Sequence, residues 1–327
     1  MKSHYYARHA VELKAELNRV IPRDQLRALH RKSAVRHFVV AFRQLVIVAL
    51  TIWGLVRIEH PMVWLPLAFV LGFTLFDFTI LLHEVLHNNV FECPRPRASR
   101  ALGLVYGTLS GLSASGFTRW HLDHHAELGS DLDDPKRSHL SPKVNTRRRK
   151  LLYCTPVLFF IYFRASRRAS ATYSAELQRR MTIESAVAFA LHLATIVAIW
   201  YVAGSGAALR AGVIPGFFIA PIAFTLNRLG QHYDIDPGDP AKWGTLMKGH
   251  WFWDLVYLNS NYHVEHHFFP GVPFYRLPAL QRALTPFYEQ QGMRWTTYRQ
   301  LIYGWFVENR AAHTNWRSPS LPERWTS

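Results

Sequence analysis

Eight of the eighteen histidines in this 327-residue chain fall in three tight clusters. His83 and His87 form HEVLH; His121, His124 and His125 form HLDHH; His263, His266 and His267 form HVEHH. Neutral imidazole is a common metal ligand. Side chains three or four residues apart on a helix lie on one face, with Cβ atoms roughly 5–6 Å apart. His83 and His87 can therefore approach one metal site together, and in each HxxHH the first ring shares a face with both others. All three rings of such a cluster are expected to project to one side as a multidentate ligand. A lone HxxxH arises often by chance and is ordinarily a packed or interfacial pair, but HxxHH twice in one chain points to metal.

Imidazole suits Fe, Zn, Cu and Ni, so ligand type does not choose the metal. Ligand number says more. Eight histidines exceed one tetrahedral zinc, and a mononuclear iron triad uses two histidines and a carboxylate, so two metals are expected, most economically two irons. Only Cys93 and Cys154 are present, which excludes a cysteine metal site and a disulfide framework. A bound imidazole usually donates its second N–H to a carboxylate or carbonyl. Glu84, Asp123, Asp131, Asp133, Asp134, Asp234, Asp236 and Glu265 lie in or near the histidine segments and are candidates for that role.

These clusters must be held by a membrane scaffold. Four segments reach the roughly 20 apolar residues a bilayer requires: His37 to Val56, Met62 to Leu82, Ile183 to Ala203 and Gly212 to Leu229. Arg43 and Gln44 interrupt the first near one end, where they are expected to snorkel. Ala101 to Phe117 and Leu151 to Phe163 are shorter and read as interfacial or re-entrant. The expected fold is therefore all-α and integral to the membrane, with about four transmembrane helices in two hairpins, interfacial helices and a cytosolic histidine cap. Its divisions are a polar N-terminal segment (1–36), a membrane domain (37–312) and a C-terminal tail (313–327) that lacks apolar periodicity and is expected to fray.

Lys and Arg exceed Asp and Glu by 38 − 22 = 16. No nucleic-acid-binding signature accompanies that excess, and the basic residues cluster beside apolar runs, so the charge reads as topology. About sixteen Lys and Arg lie between Asn88 and Thr182, against about two around Glu59 and Gly206. Both termini, the middle loop and all three histidine clusters are thus expected in the cytoplasm. Asp77 and His192 fall inside spans, where ionisable groups need partners, and they are candidates to pair with each other. His139 and His250 read as surface or interfacial. Trp251, Phe252, Trp253 and Tyr257 suggest an aromatic belt or, alternatively, the wall of an acyl channel.

HEVLH, HLDHH and NYHVEHHFFPGVP resemble the three histidine boxes of the membrane fatty acid desaturase and hydroxylase superfamily, in order, spacing and the Phe-Pro after the last box. The likeness runs from the first span to about Leu280. It implies a cytosolic di-iron site on long helices that uses O₂ to attack an unactivated C–H bond. It also implies a ninth ligand between the fourth span and the third box, here His232. Asn227 stands at a spacing from His232 unlike the pattern in which an asparagine helps hold iron, and is not assigned. The third box starts with histidine rather than glutamine, and no cytochrome b5 motif is fused, so a front-end desaturase is not expected. The box is similar in form to those of sphingolipid-type and several bacterial lipid desaturases.

The expected reaction is desaturation of a lipid acyl chain, with hydroxylation or ketone formation on the same scaffold as the alternative. A zinc-dependent membrane hydrolase and a metal transporter are weaker rivals. The chain has no heme, flavin or cysteine-cluster motif, so a ferredoxin, rubredoxin or cytochrome b5-like donor must supply electrons. Arg147 to Lys150 and Arg164 to Arg168 could steer such an acidic donor.

Overall fold

The computed structural model describes residues 4–142, 144–233 and 235–311. Asp234 and the C-terminal tail lie outside these. Among the described residues every regular element is helical, and the one extended pairing is an isolated bridge between Met247 and Thr296.

The N-terminal segment forms three short helices, α1 (Tyr5–His9), α2 (Val11–Val20) and α3 (Arg23–His30). Its polarity conceals an apolar stripe: Leu13, Leu17, Ile21 and Leu29 are buried in the main core. Ser33 then caps α4 (Ala34–Arg57), its hydroxyl accepting from Arg36 N, and Pro61 opens α5 (Pro61–Leu86) where a missing N–H costs nothing. Helices α6 (Pro96–Ser110) and α7 (Ala114–Glu127) follow, then α8 (Arg147–Leu152) and α9 (Val157–Ser170). Each expected interfacial stretch is thus broken in two. On α9, exposed Phe159, Phe160 and Phe163 stand beside exposed Arg164, Arg167 and Arg168, the composition of an interfacial helix.

Three helical runs are long and apolar enough to cross a bilayer: Ala34–Arg57, Pro61–Leu86 and Ala175–Leu229. The last spans 55 residues and contains two of the expected segments. It comprises α10 (Ala175–Ala208), a wide turn of helix at Leu209–Ile219 and α11 (Ala220–Leu229). At Gly204 the backbone leaves the helix (φ 85°, ψ 170°), a conformation glycine adopts without steric cost. Beyond it the chain doubles back, bringing Gly212 so close to Ile196 that a Cβ there would stand 2.7 Å from its side chain. The two arms form a hairpin. Phe189, Leu191, Val197, Tyr201 and Val202 on α10 are exposed, an apolar surface that suits lipid rather than water.

Central α5 packs against α4, α6, α11 and Leu209–Ile219. Within the bundle, Asp77 does not meet His192. Gln44 of α4 reaches inward and donates to Asp77, whereas His192 contacts the Thr108 carbonyl at 2.9 Å. Gln44 therefore does not snorkel: it is buried, because a carboxyl in the bundle needs a donor and α4 lies beside α5. The remaining helices, α12 (Trp251–Val256), α13 (His263–Phe268), α14 (Leu277–Gln290) and α15 (Tyr298–Ile302), gather at the end of the bundle that carries the histidines.

At Gly72 a Cβ would lie 2.6 Å from Ile219 and 2.9 Å from the Pro215 carbonyl. Gly72→Leu is expected to lower thermal stability in detergent by about 1–3 kcal/mol through overpacking. Gly216→Ala, with open space around it, should leave the melting temperature nearly unchanged.

Candidate metal centre

Four parts of the chain bring nine imidazoles together. The end of α5 carries His83 and His87, α7 carries His121, His124 and His125, the segment after α11 carries His232, and α13 carries His263, His266 and His267. They divide into two groups, His83, His87, His121, His125 and His266 in one, and His124, His232, His263 and His267 in the other. Within each group the ligand atoms lie within 4.8 Å of one another.

The division corrects the expectation that each HxxHH aims all its rings one way. An α-helix turns about 100° per residue, so adjacent histidines cannot face the same centre. His121 and His125, four apart, stay together while His124 joins the other group; His263 and His267 stay together while His266 crosses over. Each HxxHH thus serves both groups, whereas His83 and His87 serve the first alone.

The rings meet through Nε2. His83 to His266, His87 to His121 and His125 to His266 are 3.0 Å apart in the first group. In the second, His124 to His232, His232 to His263 and His263 to His267 are 3.0 Å apart, and His267 to His124 closes the circuit at 3.3 Å. A neutral imidazole has one N–H, and His124 and His232 already use Nδ1 elsewhere, so the Nε2 atoms cannot all be satisfied by hydrogen bonds among themselves. Nitrogens about 2.1 Å from a shared metal stand roughly 3.0 Å apart at right angles, so the donor set fits a metal in each group.

Burial, aided by repulsion from nearby rings and Lys136, holds His121, His124, His125, His263, His266 and His267 well below the ordinary imidazole pKa. His232 is held down likewise, chiefly by burial. The neutral form so favoured is the one that coordinates.

Two rings are oriented from behind. Asp134 Oδ1 lies 2.9 Å from His124 Nδ1, and the Trp243 carbonyl accepts from His232 Nδ1 at 2.8 Å. Glu84 stands 3.5 Å from His83 Nδ1 and accepts the Phe274 N–H at 3.0 Å. Glu265 accepts from Gln281 at 2.7 Å and Tyr288 at 2.8 Å, tying α13 to α14 rather than orienting a ring. Asp123 serves Arg119 and Tyr173, Asp133 accepts from Ser130 Oγ, Asp131 faces Arg137, and Asp236 takes the Gly238 N–H. The acids inside the histidine boxes act mainly as staples between elements. Sequence reading missed Trp243, since a carbonyl leaves no mark in residue type.

An apolar cavity reaches both groups. Phe76, Ile80, Phe117, Trp120, Tyr162 and Phe224 form its walls, and His83, His121, His263 and His266 lie along it. Trp251, Phe252, Trp253 and Tyr257 are absent from its lining. Trp251 and Phe252 are exposed, as in a belt, whereas Trp253 and Tyr257 pack on Tyr298. His250 is exposed and caps α12 through Nδ1. His139 is half-buried.

Fold and site together define an integral membrane protein whose helices carry a histidine-lined centre suited to two metals. The fatty acid desaturase family model matches residues 59–299, and the chain belongs to that family. It is 27% identical over 223 residues to the sphingolipid delta(4)-desaturase/C4-monooxygenase of Homo sapiens, covering 64% of this chain and 62% of that protein. It is 28% identical over 239 residues to a putative sphingolipid delta(4)-desaturase/C4-monooxygenase of Caenorhabditis elegans, covering 71% and 61%. With the sphingolipid delta(4)-desaturase of Drosophila melanogaster it shares 28% identity over 236 residues, covering 70% and 68%. The matched region spans about three fifths of the human and nematode relatives.

Asp134→Asn should weaken metal affinity about 10–100-fold, because it disturbs the ring orientation and tautomer of His124. Metal analysis across a chelator titration would show this, with His250→Ala behaving as wild type.

Proposed function

We propose that this chain is an O₂-dependent lipid oxidoreductase that introduces a double bond into an acyl chain. Two irons would occupy the histidine groups, one held by His83, His87, His121, His125 and His266 and the other by His124, His232, His263 and His267. The carrying observation is that an apolar cavity is lined by His83, His121, His263 and His266, four of nine imidazoles whose Nε2 atoms converge in two groups. When bound, the metal pair supplies the oxidising power, drawing on O₂ and on electrons from outside the chain.

The protein's own share is placement. Phe76, Trp120 and Phe224 would bind the hydrocarbon and exclude water, and the narrow walls would hold one stretch of methylenes against the histidines. Asp134 and the Trp243 carbonyl would hold the Nδ1 protons of His124 and His232, keeping Nε2 as the ligand atom. Helix α1 helps cover the site: Glu127 of α7 accepts the backbone N–H groups of His4 at 3.0 Å and Tyr5 at 3.3 Å.

The basic loops support an orientation with the histidine end in the cytoplasm, and an external ferredoxin, rubredoxin or cytochrome b5-like donor. Of the two basic stretches, Arg147 bonds the Phe306 and Val307 carbonyls and Lys150 is buried against Trp305, so both are structural. Exposed Arg148, Arg149, Arg164, Arg167 and Arg168 remain as the steering surface.

Hydroxylation is the second reading, favoured by the paired desaturase and monooxygenase names of two relatives. Both readings require iron and O₂. Purified protein is expected to contain about two irons per chain, and a host expressing it should accumulate a lipid lighter by two hydrogens only in air. His124→Ala should abolish that product. A lipid heavier by one oxygen would select hydroxylation, and stoichiometric zinc with activity in the absence of O₂ would exclude both.

A further inference from the structure

Beside the histidines the cavity wall changes character. Lys136, Gln231, Asn227 and Ser260 line it, and they are joined in series. Lys136 Nζ donates to Gln231 Oε1 at 3.3 Å, Gln231 Nε2 donates to Asn227 Oδ1 at 2.8 Å, and Asn227 Nδ2 donates to Ser260 Oγ at 2.7 Å. With Lys136 protonated, its ammonium has no lone pair, so Gln231 turns its oxygen toward it, and this sets the direction of each following bond. Ser260 Oγ is therefore an acceptor within the ladder. Its own proton remains to be donated, and among the described residues no hydrogen bond uses it.

The backbone that presents this hydroxyl is strained. Leu258 (φ 45°) and Asn259 (φ 61°) are consecutive left-handed residues immediately before Ser260. Such a conformation is costly for leucine and persists only where surrounding contacts enforce it. Here Asn259 N donates to the Asp254 carbonyl at 2.9 Å, Ser260 N to the Tyr257 carbonyl at 2.7 Å and Asn261 Nδ2 to Asp254 Oδ1 at 2.9 Å. The turn places Ser260 on the cavity wall three residues ahead of His263.

A cavity for hydrocarbon alone has no use for this wall. Burying amides and an ammonium among aromatic side chains is unfavourable, and more so beside a centre built for cations.

We propose that the ladder recognises an oxygen-bearing polar group of the lipid substrate, a hydroxyl or carbonyl within a few carbons of the methylenes that react. Ser260 Oγ is the donor to that oxygen, and Lys136 is a positioning residue that fixes the polarity of the ladder through Gln231 and Asn227. The inference rests on the lipid-oxidising reading above and narrows it to substrates oxidised near their polar end rather than in mid-chain.

The test uses full-length protein in host membranes given two labelled probes, a saturated N-acylsphinganine and stearic acid. Mass spectrometry with fragmentation locates the new double bond or hydroxyl. Wild type is expected to oxidise a probe within a few carbons of its oxygen-bearing end. Ser260→Ala and Lys136→Met should each reduce that product about tenfold, the usual weight of one hydrogen bond, or scatter its position. Metal content should be unchanged, and Ser260→Thr, which restores the hydroxyl, should recover yield and position. A wild-type product in mid-chain, or unchanged yield and position in Ser260→Ala, overturns the inference while leaving the lipid-oxidising reading intact. No product from metal-loaded wild type on either probe overturns that reading, and this inference with it.

Discussion

Nine neutral imidazoles in two groups, with neighbouring Nε2 atoms about 3 Å apart, form an arrangement that resists its own assembly. Lone pairs face lone pairs, and burial removes the water that would otherwise separate them. Cations between the nitrogens turn repulsion into coordination, so the metal-free set must be held together by everything around it. The surrounding architecture follows from that need: α5, α7, α13 and the segment after α11 converge on the site from distant parts of the chain, and each is anchored outside it.

The anchoring explains the acids within the histidine boxes. Glu84 ties the end of α5 to the backbone of Phe274, and Glu265 ties α13 to α14 through Gln281 and Tyr288. Among the described residues, Asp134 and the Trp243 carbonyl hold rings directly at hydrogen-bond distance from behind. The N-terminal helices add a cover: Glu127 sits at the end of the helix bearing the second box and binds the backbone of His4 and Tyr5. Placement of the histidines and the cover over them are thus achieved by the same contacts.

Two environments meet at this centre. An apolar cavity walled by Phe76, Trp120 and Phe224 suits hydrocarbon, while the ladder from Lys136 to Ser260 gives one side of it a direction and a donor. A hydrocarbon alone is free to slide along an apolar wall, because dispersion is nearly the same at each methylene. A directional hydrogen bond near the histidines would remove that freedom, which would link the strained turn at Leu258 to the regiochemistry of the proposed reaction.

The linear sequence already carried what is local or periodic. Apolar runs marked the spanning segments, the three- and four-residue spacing put histidines on helical faces, and the likeness of the boxes pointed to His232. Packing decided the rest. The reversal at Gly204 placed two expected spans within one 55-residue helical run. The rotation of about 100° per residue sent His124 and His266 away from their neighbours, but only the docking of α7 and α13 determined which group each joined. Asp77 meets Gln44 rather than His192, and Lys136 reaches Ser260 through residues 95 and 33 positions distant from their partners. A side chain's type declares what it can bond, whereas the identity of its partner depends on which distant segment the bundle brings within 3 Å, and no local pattern encodes that distance.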